Sequence, residues 1–299
     1  MKTQTISLGH SPDSDDAFMF YGLASGAVNP GNYRFTHILQ DIQTLNEWAR
    51  EGKLEVTAAS VHAYAYLQKN YVILSSGASM GATGLAEYVT EDGERIPASR
   101  GGTGAQGPLL VAREPYAPEN LTCKRIAIPG TLTTAYLTLR LALGDCRTEV
   151  MHFDAILPAV CEGKADARLI IHEGQLTYAA HSLYCLLDLG VWWYEKTGLP
   201  LPLGCNLIRR DLGPEAMAEI SGILRKSIVY GLKHRREALD YAGQFGRGLD
   251  REQADEFVGM YVNQWTVEYG PRGREAIRRL LRCGREKGLI PAIDDPEVV

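Results

Sequence analysis

The stretch Ala167-Arg-Leu-Ile-Ile-His-Glu-Gly-Gln-Leu-Thr-Tyr178 sets the reading of the whole chain. Its apolar run Leu169-Ile170-Ile171 predicts a buried strand, and the run stops abruptly at His172-Glu173-Gly174. In α/β proteins ligands are met where strands end on their carboxyl side. A histidine placed there changes protonation near neutral pH after only a small environmental shift. Taken alone, His172 reads as an ordinary hydrogen-bonded histidine, and the rest of the chain has to decide.

An internal echo surrounds it. Asp154 opens a helix that closes on Glu162-Gly163-Lys164, followed by an acid, Asp166, and the strand that ends at His172. Earlier, Asp41 opens a helix that closes on Glu51-Gly52-Lys53, followed by Glu55 and a strand ending at Ser60. The echo makes Ser60 and His172 equivalent strand ends in two similarly built lobes.

Working outward, strands are expected at residues 5–8, 34–39, 56–60 and 71–74, with helices at 17–24, from Asp41, and at 61–68. Ser14 or Asp15 is the expected cap of the first helix, and Asp13, Asp15 and Asp16 read as capping acids. Residues 75–107 are rich in Gly, Ala and Ser, carry a hairpin-like insert around Glu91-Asp-Gly-Glu94, and end in Gly104-Ala-Gln-Gly107, read as a flexible joint. A second β-α-β-α-β series follows: strands at 109–112, 125–128, 149–153 and up to 172, with helices at 134–143 and from Asp154. A strand at 184–188 and a helix at 191–196 lead to Pro200-Leu-Pro-Leu-Gly204, read as a second, stiff crossing before a strand at 206–209. From Pro214 the chain is helical. Two crossings, near Gly107 and Gly204, define a discontinuous lobe I (1–107 plus 203–299) and an inserted lobe II (108–202). The expected class is α/β, a two-lobed periplasmic-binding-protein-like (type II) fold with a ligand cleft between the lobes.

Length and composition agree. The chain has 299 residues, 45% hydrophobic and 22% charged, with a formal net charge of −5. That excludes disorder and gives no nucleic-acid footprint. The arginines from Arg272 to Arg285 interleave with Ile277, Leu280 and Leu281, as on the solvated face of an amphipathic helix. No run approaches the roughly 18 apolar residues of a membrane span, and the amino terminus lacks a signal-like apolar region, so the expected location is cytoplasmic. None of the six cysteines forms a CxxC pair, and they read as small buried hydrophobes.

The chemistry narrows by elimination. The seven histidines show no HxxxH or HExxH spacing, so no metal site is expected. No Gly-x-Ser-x-Gly elbow is present, and the gapped glycines do not form a dinucleotide fingerprint. What remains is His172 and the segment Pro129-Gly-Thr-Leu-Thr-Thr-Ala135 between a strand and a helix. Backbone N–H groups and threonine hydroxyls there either hold a carboxylate or a sugar hydroxyl, or simply cap the helix. Glu173 either orients the imidazole or is solvated, and Tyr178 either covers the cleft or packs.

At these residues the chain resembles the menaquinone-biosynthesis 1,4-dihydroxy-6-naphthoate synthases of the futalosine route, nearly end to end. The resemblance is carried by Ser11-Pro12 with Asp16 and Phe18, by Thr44-Leu-Asn-Glu-Trp-Ala49, Ser60-Val-His-Ala-Tyr64, Gly107-Pro-Leu-Leu-Val111 and Ile128-Pro-Gly-Thr-Leu-Thr-Thr-Ala135. Its most specific block is Leu169-Ile-Ile-His-Glu173 with Thr177-Tyr178, followed by Asp188-Leu-Gly-Val-Trp-Trp193, Thr197-Gly-Leu-Pro-Leu-Pro-Leu-Gly204 and Tyr261-Val-Asn263. The resemblance implies a carbon–carbon lyase that splits cyclic dehypoxanthinyl futalosine into 1,4-dihydroxy-6-naphthoate and dihydroxyacetone. It implies His172 as proton acceptor and Ala58, Ala59, Ser60, Thr134 and Ala135 as substrate contacts. Ser11, Asp16 and Gly107 join them as expected binding residues. No cofactor is implied, and the expected partner is a small carboxylate-bearing substrate, with neither nucleic acid nor membrane.

Three features depart from the family pattern. The usual Ser-Pro-Cys-Pro-Asn-Asp-Thr-Phe is here Ser11-Pro-Asp-Ser-Asp-Asp-Ala-Phe18, residues 84–104 look like an insertion, and the usual Arg-Phe before Thr-Tyr is Gln175-Leu176. The last change removes a cation that would meet a substrate carboxylate. A non-catalytic solute-binding protein for a small carboxylate, or a chorismate dehydratase of the same pathway, stay open as alternatives.

Overall fold

In a computed structural model, which describes residues 3–81, 88–89, 93, 95–96, 106–151, 165–245 and 249–299, the strands follow the sequence pattern closely. They are β1 (Gln4–His10), β2 (Tyr33–Leu39), β3 (Val56–Ser60), β4 (Tyr71–Ile73), β5 (Ser79–Gly81), β6 (Tyr88–Val89), β7 (Arg95–Ile96), β8 (Leu109–Ala112), β9 (Ile126–Ile128), β10 (Thr148–Val150), β11 (Ala167–Ile170), β12 (Tyr184–Asp188) and β13 (Leu201–Arg209). One sheet runs β2-β1-β3-β13-β4, with β5 also paired to β13; the other runs β10-β9-β11-β8-β12. In both, two parallel pairings stand beside antiparallel ones: β1 with β2 and β3, then β13 antiparallel to β3; β9 with β10 and β11, then β8 antiparallel to β11. Every residue of β3, β8, β9 and β11 is buried. Such two-sided burial suits short runs of Val, Ile, Leu and Ala covered by helices.

The expected hairpin near residue 93 is present as the antiparallel pair β6 and β7. The first helix differs from expectation. It starts earlier, as Ser14–Met19, and breaks at Phe20 before a short helix Tyr21–Ala24. Its N-cap position is Asp13, whose side chain makes no cap bond. An acid inside the first turn takes part instead: Asp16 Oδ2 accepts the Ser11 N–H at 2.7 Å and ties the helix start to the end of the β1 loop. Asp41 does cap Ile42–Arg50, accepting from the N–H groups of Gln43 and Thr44, and Asp250 forms a capping box on Arg251–Tyr261. The strand expected over 149–153 is β10 within the described part; the helix expected from Asp154, with Cys161 and Glu162-Gly163-Lys164, lies outside the described residues.

Both crossings are tighter than expected. Pro200-Leu-Pro-Leu-Gly204 is not a free segment: it enters β13, where Leu201 pairs with Gly81 and Pro202 with Met80, before a register shift ahead of Gly204. A proline has no N–H to give, so it sits where the ladder is already irregular. At the other crossing, Gln106-Gly107 is wedged in place. A Cβ on Gly107 would lie 2.4 Å from Gly190 N, and one on Gly81 only 1.7 Å from Gln106 O. Glycine serves close backbone approach here, rather than a flexible joint; Gly104 and Ala105 lie outside the described residues.

One continuous core joins the two sheets. It takes Ala59 and Leu207 from the first sheet, Leu110, Ile126 and Leu169 from the second, and Leu137, Trp193, Leu280 and Leu281 from helices. The C-terminal helix Gly270–Glu286 buries Ile277, Leu280 and Leu281 as its spacing predicts. The cysteines do not follow their expectation: among those described only Cys205 is buried, while Cys123 and Cys185 are exposed and Cys146 and Cys283 lie between. Flanking apolar residues mark an element, not the face on which a given cysteine falls. No helix among the described residues is long and apolar enough to cross a membrane.

Candidate active site

The lobes meet at a cleft of about 740 Å³, counted out to its open mouth. Lobe I supplies Ala58, Ala59 and Ser60 at the end of β3, with Ser11, Asp15 and Asp16 from the loop and helix after β1. Lobe II supplies Pro108, Thr133, Thr134, Ala135, Ile171 and Gln175. Seven of the expected binding residues therefore share one cavity. Gly107 does not line it; its neighbour Pro108 does, because Gly107 is held against Gly190.

Each wall has a local cause. Helix Ile42–Arg50 turns Asn46 inward, fully buried, where its Oδ1 accepts the Ser60 N–H at 2.8 Å and its Nδ2 donates to Ser60 Oγ at 3.0 Å. This pair fixes the strand end that faces the cleft. At helix Thr134–Leu143, Thr133 is the N-cap: its hydroxyl donates to Gly130 O at 2.8 Å and accepts from Tyr136 N. The Thr134 hydroxyl donates to Leu203 O at 2.6 Å and accepts from His62 N, tying lobe II to lobe I. The threonine hydroxyls are thus engaged in capping and in joining the lobes. What the helix start offers a ligand is the backbone N–H groups of its first turn.

His172 occupies a smaller space of about 310 Å³ beside the main cleft, with Pro12, Asp13, Asp41, Ile42, Pro129 and Ile171. Asp13, Ile42 and Ile171 border both spaces. The Gly174 N–H donates to His172 Nδ1 at 3.1 Å, so the neutral ring carries its own proton on Nε2. Glu173 is buried, and the Ser14 hydroxyl of lobe I donates to its Oε1 at 3.5 Å. Tyr178 packs against the small core of Leu109, Val111 and Ile170.

The acids after β1 are not merely capping residues. Burial pushes the Asp16 carboxyl up to about 7, against hydrogen bonds from Ser11 that pull it down. Asp15 is pushed well above the carboxylate range by burial and by the charges of Asp16, Asp13 and Glu173. Behind them, burial lowers buried His10 to about 4, and its ring meets Ser11 O at 2.9 Å and His37 Nδ1 at 3.1 Å.

Sequence reasoning did not anticipate Asp15, Asn206, Phe257 or Tyr261 as cleft residues. Asn206 had a signal, a polar residue inside an apolar strand. Gln175 was singled out only as a departure from the family pattern. It lines the cleft, and its Oε1 accepts from the Tyr261 hydroxyl at 2.7 Å across the lobes.

A two-sheet α/β chain closing on a ligand cleft is the architecture of periplasmic-binding proteins, and comparison with solved structures agrees. The alkanesulfonate-binding protein SsuA of Xanthomonas axonopodis pv. citri, bound to MOPS, matches 98% of this chain and 96% of its own with a TM-score of 0.65 at 13% identity. A crystal structure of an Archaeoglobus fulgidus protein matches with a TM-score of 0.85 at 43% identity, covering 96% of this chain and 98% of that one. The family profile for menaquinone biosynthesis matches residues 6–85 and 87–286. Among curated relatives, the 1,4-dihydroxy-6-naphtoate synthase of Thermus thermophilus is 40% identical over 287 residues, 96% of each chain. The synthase of the same name from Streptomyces coelicolor is 33% identical over 299 residues, 98% of this chain and 97% of its own. The chain belongs to the menaquinone-biosynthesis family.

Proposed function

We propose that this chain is a 1,4-dihydroxy-6-naphthoate synthase that cleaves cyclic dehypoxanthinyl futalosine to the naphthoate and dihydroxyacetone. The observation that carries the reading is end-to-end identity of 40% to a relative of that name, together with the gathering of the expected contact residues around one cleft. The carboxylate-bearing substrate lies in the main cleft between Ser60 and the Thr134–Ala135 helix start, and its reacting end enters the side space at His172. His172 is the general base. Its lone pair is on Nδ1, where Gly174 N–H now points, so the ring turns from Gly174 to take the hydroxyl proton. The freed electron pair then drives carbon–carbon cleavage, and aromatisation of the naphthalene pulls the reaction forward. Lobe closure keeps water from the intermediate. We place the inserted lobe from residue 108 to the second crossing, drawn at about residue 200 because β13 begins at Leu201.

The test is direct: incubate the pure protein with cyclic dehypoxanthinyl futalosine and follow the naphthoate chromophore and dihydroxyacetone together. Equimolar formation of both is expected. Ligand-induced thermal stabilisation without consumption would replace this reading by a binding protein of the same fold.

A further inference from the structure

Among the described residues lining the cleft there is no lysine or arginine, so an oxygen-rich, anionic ligand has to be met by neutral donors. Two side-chain amides are placed for it, one in each lobe. Gln175 is 6% exposed and Asn206 is 1% exposed, and both line the cleft. Neither Gln175 Nε2 nor Asn206 Nδ2 has a hydrogen-bond partner among the described residues. Buried N–H groups left in this state are costly to the free protein and point to a ligand that satisfies them.

The surroundings fix both amides. Tyr261 donates its hydroxyl to Gln175 Oε1 at 2.7 Å, which leaves Nε2 as the other end of the amide. The next residue, Leu176, packs on Phe257, Met260 and Tyr261, so the turn that carries Gln175 is seated on lobe I. At Asn206 the space is made by Gly77, where a Cβ would lie 2.0 Å from Nδ2. We infer that Gln175 and Asn206 are the cleft's oxygen-binding donors, one from each lobe, and that Tyr261 is the positioning residue that holds the Gln175 amide. The ligand class is a small molecule whose carboxylate or hydroxyl oxygens bridge the two amides, so its binding favours the closed arrangement of the lobes. The raised carboxyls of Asp15 and Asp16 reduce the negative charge such a ligand would meet. The inference deepens the proposed function and rests on it for the identity of the substrate.

The experiment measures kcat and KM with cyclic dehypoxanthinyl futalosine, and the Kd of 1,4-dihydroxy-6-naphthoate by calorimetry, for wild type, Gln175→Leu, Gln175→Glu, Tyr261→Phe, Asn206→Asp and the Gln175→Leu/Tyr261→Phe pair. Loss of a donor to a charged oxygen predicts KM and Kd raised at least about tenfold in Gln175→Leu and Asn206→Asp, with kcat changed far less. Gln175→Glu keeps the amide's shape and is the check should the leucine variant not fold; its defect in Kd is largest at about pH 8 and shrinks as the pH is lowered and the carboxyl takes up a proton with which it donates again. Tyr261→Phe gives a smaller rise of a few-fold, and the pair is no worse than Gln175→Leu alone, as for residues acting through one another. Values within about twofold of wild type for both Gln175→Leu and Asn206→Asp overturn the donor assignment, and multiplying effects in the pair overturn the role of Tyr261. A wild type that binds the naphthoate without consuming the futalosine breaks the proposed reaction, and the Kd series still decides the donors. A wild type that binds neither compound overturns both.

Discussion

Ser60 ends β3, whereas the equivalent strand of the second sheet, β11, stops at Ile170 and leaves His172 two residues beyond it; the two sheets are otherwise built on one plan, β2-β1-β3-β13-β4 and β10-β9-β11-β8-β12. Even the acids at the strand starts agree. Glu55 accepts the Ser7 N–H from the neighbouring parallel strand at 2.9 Å, and Asp166 accepts the Arg125 N–H at 2.8 Å. The strand ends then diverge. Ser60 is buried and held twice by Asn46, whereas His172 is half-buried on a turn, with one ring nitrogen resting on a backbone N–H. The repeat shows that topology alone does not make a site. One lobe pins its strand end as a wall, and the other carries a half-buried imidazole on the turn beyond its strand.

The largest effect should come from removing that ring. General bases contribute about 10²- to 10⁴-fold, so His172→Ala is expected to lose that much in single-turnover naphthoate formation with little change in melting temperature. Full turnover in the variant would leave His172 a structural residue and dissolve the contrast with Ser60. On the other side, Asn46→Ala strips both partners from a buried Ser60 and leaves a void; a cost of about 2–4 kcal/mol in denaturant unfolding is expected. A cost below about 0.5 kcal/mol would mean that the wall is not pinned.

The acids beside the cleft sharpen the comparison through pH. Asp16 has a native pKa raised from 3.8 to about 7, so between those values the folded state binds more protons than the unfolded chain. Stability contributed by this group is fully present below about pH 4 and is lost as pH rises toward 7. In Asp16→Asn that fall should flatten by an amount on the order of 4 kcal/mol across the window, read from urea midpoints at several pH values. An unchanged slope would show that Asp16 is ionised in the native state.

Much of this was legible because the core strands are short apolar runs with clear ends: β3, β8, β12 and helix Thr134–Leu143 fall where periodicity and turn residues place them. Seven of the eight residues expected to bind gather at one cleft, since strand ends and helix starts converge there. What stayed hidden depends on three-dimensional partners. Asp16 looks like any first-turn acid until its bond to Ser11 is seen. Gly107 looks like a hinge until Gly190 is found against it. Tyr261 lies 86 positions from Gln175, and nothing local announces that they meet.

The finest test of the repeat lies in the two acids themselves. Both do the same job, but Glu55 does more of it: it also accepts from the Ser7 hydroxyl and has Arg209 Nη1 at 3.4 Å, with its side chain 24% exposed. Asp166 has Arg125 Nε at 3.6 Å and is 33% exposed. Solvent screening weakens the ion pairs in both, so the backbone N–H each acid satisfies decides the outcome. Glu55→Ala is therefore expected to cost about 1–2 kcal/mol and Asp166→Ala about 0.5–1 kcal/mol, by denaturant unfolding at neutral pH. Equal costs would mean that the second hydrogen bond to Ser7 adds nothing. A larger cost at Asp166 would show that lobe II, which carries His172, depends on its strand anchor more than lobe I does, and the contrast between the pinned end at Ser60 and the half-buried turn at His172 would have to be reversed.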